Sequence, residues 1–338
     1  MTERSEGTRR AGVTIYQVAS RAGVSIATVS RVLRGTAKVS PDTQKRVIDA
    51  IAELRYTPSR LGRALAERRH AANGIVFPEL FGPYYSEVVL GYEEAASELG
   101  RSVLILSTHS RAADRDTVLD LASRVDGMVL FDQTVDEAMI EELNDRDLPI
   151  VLLGRGPSGE VDAVSADNLD SAHALVDHLL EHGFRQLTVL SDLTATSDVR
   201  QRWATISAVL AERGAPPPEL VPCKLDDEAA RVTARQVLAR ADRPEILVCA
   251  CDQIALGAFL AAEDLGVRVP DEVAITGWDD VMAARYVRPG LTTVRQPMRE
   301  LGARAARALD ERITGARTTP IHDVLRTELI VRGSCGPH

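Results

Sequence analysis

Thr14–Leu33, TIYQVASRAGVSIATVSRVL, decides how this chain is read. Ile15, Val18 and Ala19 fall at i, i+3 and i+4 and give a short first helix one narrow apolar face. Gly23 stands where the chain must turn, because a residue without Cβ accepts positive φ at little cost. Ser25 is a good N-cap for a second helix, and Val29, Val32 and Leu33 are expected to pack that helix back on the first. This packing leaves Ile26, Ala27, Thr28, Ser30 and Arg31 on the open side. Two short helices joined by a glycine turn, with the start of the second exposed, have the shape that enters a major groove of DNA. There Arg31 could donate two N–H groups to guanine O6 and N7, the commonest specific contact.

The next segment strengthens that reading. Ser40-Pro41-Asp42 is a cap, an N1 proline and an acidic first turn, followed by Val47, Ile48, Ile51 and Leu54 at helical spacing. Pro58 forbids a continuous helix beyond them, but Ser59 to Ala66 holds adequate helix formers, with Leu61 and Leu65 one turn apart among Arg60, Arg63, Arg68 and Arg69. A helix this short is marginal alone and orders when something packs against it. Charge divides the same way: residues 1–70 hold 14 Lys and Arg against 6 Asp and Glu, whereas the rest holds 26 against 43. A basic head on an acidic body fits a nucleic-acid reader attached to a ligand-binding domain, and the net charge of −9 conceals it.

Beyond Ala72, apolar runs alternate with amphipathic stretches. GIVFP (Gly74–Pro78), SVLIL (Ser102–Leu106), GMVLF (Gly127–Phe131) and IVLL (Ile150–Leu153) form one set. LTVL (Leu187–Leu190), ILVCA (Ile246–Ala250) and VAITG (Val273–Gly277) form a second. Continuous apolar strands separated by helices predict an α/β fold of doubly wound parallel sheets, here in two lobes, with ligands beyond the carboxyl ends of the strands. The chain has no GxxxxGK[ST] or GxSxG, so nothing predicts an enzyme, and no cofactor is expected. Cys223, Cys249, Cys251 and Cys335 form no CxxC pair and read as buried free thiols suited to a reducing compartment. His173, His178 and His182 share one predicted helix; the last two lie one turn apart, but no carboxylate or cysteine at a proper offset completes a metal site, so all three read as helix-surface residues. No apolar run approaches a membrane span, and MTERSEGTRRAGV lacks the apolar core of a secretory signal. Residues 1–13 therefore read as a flexible arm on a soluble, cytoplasmic protein.

VASRAGVSIATVSRVL, VSPDTQKRVIDAIAELRYTPSRLGRAL, CDQIALGAFLAAEDLGVRVPDEVAITGWDD and LTTVRQP together resemble the lactose-repressor/galactose-repressor family of bacterial transcription regulators over nearly the whole chain. The resemblance implies a helix-turn-helix head (14–57), a hinge helix and linker (58–71) and a periplasmic-binding-protein-like core (72–338). Its lobes would run over about 72–165 with 296–322 and about 166–295 with 323–338, crossing near Ser165, Arg295 and His322. Expected DNA contacts are Thr14, Tyr16, Ser25, Ile26, Ala27, Thr28, Ser30, Arg31 and Arg34 from the head. Ser59, Arg60, Arg63 and Leu65 would contact DNA from the hinge, with Leu65 matching the leucine that wedges into the central base step of a palindromic operator.

Effector contacts are expected at Tyr84, Tyr85, Arg202, Cys251, Trp278, Asp279 and Met298, with Gln296 beside the second crossing. Arg202 and Asp279 match the family's effector-holding arginine and aspartate, while Arg200 is an alternative inward residue. Three departures weigh against a hexose or disaccharide: Cys251 replaces an asparagine, Gly154 an aspartate and Leu225 a stacking aromatic. A less hydroxylated ligand, or none, stays open. The end of the chain carries no leucine heptads, so the expected assembly is a homodimer acting as a repressor. The competing readings are a solute-binding module or an enzyme on the same core, and an activator in place of a repressor, since the sign of regulation depends on operator position.

Overall fold

A computed structural model describes residues 13–34, 39–56, 70–79, 82–109 and 114–336. The chain divides into two units, Met1–His70 and Ala71–His338. The arm, the hinge residues Ser59, Arg60, Arg63 and Leu65, and the side chain of Arg34 lie outside the described residues.

The described residues of the first unit form three helices, α1 (Ile15–Ala22), α2 (Ile26–Arg34) and α3 (Pro41–Leu54). Gln17 Oε1 accepts the Thr14 N–H at 2.8 Å, holding the start of α1. Gly23 ends α1 at φ +64°, in the left-handed region that L residues with a Cβ resist. Ser25 Oγ accepts the Thr28 N–H at 3.2 Å and Ser40 Oγ the Thr43 N–H at 3.3 Å, so both expected caps form. Val18, Ala19, Ala22, Val29, Val47 and Ala50 make the core, with Ile15, Val24, Val32, Ile51, Leu54 and Tyr56 half-buried around it. Leu33 and Ile48 depart from expectation, at 38% and 51% exposed. Both lie at the edge of their apolar stripes, where a core this small reaches no further. A guanidinium fork from Arg21 to Glu53 (Nε–Oε1 3.0 Å, Nη2–Oε2 2.6 Å) ties α1 to α3; with both ends half-exposed it fixes orientation more than stability.

The second unit contains two parallel sheets. The first runs His322–Leu325, Asp162–Ala166, Ile150–Leu153, Met128–Phe131, Ala72–Phe77, Ser102–Ser107, and the second runs Glu219–Pro222, Thr188–Ser191, Ile246–Cys249, Ala274–Thr276. Strand side chains alternate between two cores. Phe77, Val129, Phe131, Val151 and Leu153 pack on helices Pro83–Glu98 and Met298–Thr314, while Val76, Met128, Leu130, Ile150 and Leu152 pack on Arg115–Ala122 and Glu137–Asp145. The second sheet is covered likewise, by Asp227–Leu238 and Asp252–Leu265 on one face and Leu169–Glu181 and Ser197–Glu212 on the other. Burial on both faces is why these strands read as unbroken apolar runs. All four cysteines are buried and none forms a disulfide.

Strand Asp162–Ala166 is buried although it begins with a carboxylate, because Arg317 grips Asp162 with a two-pronged bond (2.9 and 2.6 Å) that neutralises the charge. His322 starts a strand that pairs with Asp162–Ala166, and its Nε2 lies 3.3 Å from Ser165 Oγ. The chain therefore leaves the first sheet for the third time after Leu325. Beyond it, Glu328–Ile330 pairs antiparallel with Thr293–Arg295, so two of the crossing segments brace each other.

Candidate functional site

On the head, capping and packing select one outward face. Val29 is fully buried and Val32 half-buried, which leaves Ser25, Ile26, Ala27 and Arg31 exposed and Thr28 and Ser30 partly so. Thr14 and Tyr16 at the start of α1 are exposed too, Tyr16 at 69%. The described members of the expected DNA-contact set are thus exposed or partly exposed, at the start of α1 and from Ser25 to Arg31 along α2. The N–H groups at such starts suit phosphates, and the side chains suit base edges.

In the second unit, a cavity of about 620 Å³ opens between the sheets, within the range of small-molecule sites. Tyr84 and Tyr85 reach it because Pro83 starts their helix directly after the first strand's loop. With Phe131 they form an edge-to-face wall, Tyr84–Tyr85 at 5.3 Å and Tyr85–Phe131 at 5.4 Å between ring centres. Burial pushes both phenols well above their ordinary range, so they stay protonated donors.

Arg202, 6% exposed, comes from the helix capped by Thr196. Its Nε donates to Asn168 Oδ1 at 2.8 Å and its Nη1 to the Ala250 carbonyl at 3.0 Å, while its guanidinium lies 4.5 Å from the centre of the Trp278 ring. Arg200 is exposed and donates to the Leu193 carbonyl, so Arg202 is the inward one. Asp279 enters from the carboxyl end of strand Ala274–Thr276 and accepts the Gln296 amide at 2.6 Å.

Tyr84, Tyr85, Arg202, Cys251 and Asp279 all line the cavity, as do Gln296, Gly154 and Leu225. Trp278 and Met298 do not. Trp278, 1% exposed, is turned into the second sheet's core, where it supports Arg202 from behind. Met298 begins helix Met298–Thr314 and packs into the first lobe's core.

Asp132 and Asp198 join them unforeseen. Asp132, buried at the end of strand Met128–Phe131, accepts the Ser197 N–H at 2.5 Å and so bonds the first lobe to the start of a second-lobe helix. Asp198 Oδ1 accepts from Asn168 Nδ2 at 2.8 Å. An acidic residue in the first turn of SDVRQRWA was the signal for Asp198, and it reads equally as ordinary helix-dipole pairing.

Burial pushes the Asp198 carboxyl up against the opposing pull of Arg202 and Asn168, with Asp132 adding to the rise. Burial likewise raises Asp279 to about 7, opposed by Arg202 and Gln296 and reinforced by Asp198. The folded chain then holds a proton that the unfolded chain has released between about pH 4 and pH 7, so stability falls as pH rises through that window. Asp279→Asn keeps an oxygen for Gln296 and removes the ionisation. It is expected to raise the melting temperature of the ligand-free chain above about pH 7 and to flatten the slope below it. A melting series across that range checks this, and an unchanged slope refutes it.

Residues 14–59 match the bacterial regulatory proteins of the lacI family, and residues 176–335 match the periplasmic binding protein-like domain. The HTH-type transcriptional repressor PurR of Photobacterium profundum is 31% identical over 327 residues, covering 95% of this chain and 98% of the relative. The chain belongs to the LacI family. Among solved structures, the Lac repressor dimer bound to operator and the anti-inducer ONPF is 27% identical with a TM-score of 0.86, covering 97% of this chain and 100% of that one. The complex of the transcriptional regulator CelR with cellobiose is 30% identical with a TM-score of 0.72, covering 95% and 99%. This LacI-family chain is a DNA-binding transcriptional regulator and not an enzyme. No helix among the described residues is long and apolar enough to cross a membrane.

Proposed function

We propose that this LacI-family regulator is a cytoplasmic repressor that grips a near-palindromic operator as a homodimer and answers to a small molecule in the cleft. One observation carries the reading: the start of α2 is capped, braced by Val29 from behind and open in front at Ile26, Ala27 and Arg31. Ile26 and Ala27 set sequence preference through base contacts, while Thr28, Ser30 and Arg31 supply hydrogen bonds. The hinge residues Ser59, Arg60 and Arg63 meet phosphates, and Leu65 wedges the central step. The head spans 14–57, the hinge 58–71 and the core 72–338.

In the core, Tyr84, Tyr85, Arg202, Cys251 and Asp279 contact the effector, and its binding changes the lobe arrangement that the Asp132–Ser197 bond bridges. DNA affinity shifts by the effector's differential affinity for the two arrangements. Selection of bound oligonucleotides from a random pool tests the reading, with a two-fold symmetric motif as the expected result and no preference over bulk duplex as the refuting one. Arg31→Ala is expected to weaken binding to the selected site by about 1–3 kcal/mol and relax preference at one base pair. Gel-shift titration on selected and random DNA checks it; equal losses on both would remove Arg31 from base reading.

A further inference from the structure

Among the described residues, carboxylates outnumber cations in the cleft. Asp132, Asp198 and Asp279 line it together with Glu79, Asp192 and Asp226, against Arg202 and Lys224. Asp132 and Asp279 are only 5% and 6% exposed, so water does little to screen them. Arg202 has committed Nε to Asn168 and one Nη1 N–H to the Ala250 carbonyl, so part of its donor fork is held by the protein, and its single charge with that of Lys224 faces six carboxylates. Gln296 commits its amide N–H to Asp279, and its Oε1 is buried in the lining with no hydrogen-bond partner. That oxygen calls for a donor, as does the acidic lining around it.

The rest of the lining points the same way. Gly154 brings no side chain, and a Cβ placed on it would lie 3.9 Å from Asp198 Oδ2, so the second lobe's carboxylate comes close to the first lobe there. Cys251 contributes only a weak donor and Leu225 no flat stacking surface. Tyr84, Tyr85 and Phe131 still present aromatic faces, which attract cations.

We propose that the effector is an organic cation: a protonated amine held between Asp198 and Asp279, with Gln296 Oε1 accepting a further N–H and the apolar body of the ligand lying against Tyr84, Tyr85 and Phe131. An ammonium brings three donors and a positive charge, answering both the orphaned oxygen and the excess of carboxylates over cations. A neutral sugar brings donors without charge, and an anion meets six carboxylates. This assignment rests on the cleft being the effector site.

The test is calorimetric titration of the full chain with three matched series. Phenethylamine and glucosamine are the cations, 2-phenylethanol and glucose their neutral counterparts, and phenylacetate the anion. The amines are expected to bind at least about tenfold more tightly than their neutral counterparts, and in Asp198→Asn that ratio is expected to collapse toward unity. Neutral compounds binding as tightly as the amines, an unchanged ratio in Asp198→Asn, or no amine binding at millimolar concentration would each overturn the assignment. If glucose or phenylethanol binds the wild type and fails to bind Arg202→Ala or Tyr85→Ala, the cleft remains the effector site and only the cation falls. Amines that bind equally well to Tyr85→Ala lie outside the cleft, which overturns the assignment and leaves the cleft to be judged by the neutral series.

Discussion

Gly302→Ala is expected to destabilise the core by about 3 kcal/mol or more, although alanine is the better helix former by about 1 kcal/mol. A Cβ at Gly302 would stand 2.0 Å from the Val88 carbonyl oxygen and 2.7 Å from the Tyr92 nitrogen. Across the same contact, a Cβ at Gly91 would stand 2.0 Å from the Arg299 carbonyl oxygen. Helices Pro83–Glu98 and Met298–Thr314 therefore touch backbone to backbone, and no flexible side-chain end is available to move aside. Val88 and Tyr92 from one helix and Leu301 and Ala305 from the other are fully or almost fully buried in the core the helices share, so neither can retreat without opening voids. The first of these helices also carries Tyr84 and Tyr85, so a forced separation would disturb the aromatic wall of the cleft. Urea unfolding of the variant gives the loss, and ligand titration the effect on the cleft. Gly91→Ala should behave alike, and the pair should fall short of additivity because one displacement relieves both clashes. Stability equal to or above wild type would mean that the helices are further apart than this packing requires.

How far the sequence reveals this molecule depends on what each residue answers to. Seven strands were legible because both sheets are covered on both faces, which leaves runs such as Met128–Phe131 and Ile150–Leu153 wholly apolar. Asp162–Ala166, Glu219–Pro222 and His322–Leu325 were not, because their polar residues are reconciled only by partners distant in sequence. Asp162 needs Arg317, and Thr188 meets Glu219 across the second sheet.

The caps at Ser25 and Ser40 were legible because a cap is local, and the turn at Gly23 for the same reason. In the cleft, the resemblance placed Tyr84, Tyr85, Arg202, Cys251 and Asp279 on one cavity wall or another. It misplaced Trp278, whose neighbour Asp279 turns inward at φ +120° while the indole faces the core. Asp132 and Asp198 escaped notice because a carboxylate at a strand end or in a first helical turn is ordinary. Only the closing of two lobes around them makes them part of a site.

Val29→Asp is expected to unfold the DNA-binding head and abolish operator recognition while the core keeps its own melting transition. Val29 is fully buried among Val18, Ala19, Ala22, Val47 and Ala50, and all of these belong to the first unit. A carboxylate there must either ionise without a partner or take up a proton at neutral pH, and each course costs several kcal/mol. A three-helix head of this size has only about 3–5 kcal/mol to lose. The core retains its two sheets and the four apolar clusters that cover them. Operator affinity should therefore fall to the level of random DNA, while titration of the cleft still yields the wild-type ligand response. Val29→Ala provides the graded control: it removes two methyl groups without adding a charge and should weaken operator binding only when its cost of about 1–3 kcal/mol is combined with mild denaturant. Gel shifts paired with calorimetric melting separate the two units. Operator binding that survives Val29→Asp would show that α2 does not need this core to present Ile26, Ala27 and Arg31, and the reader described above would be wrong.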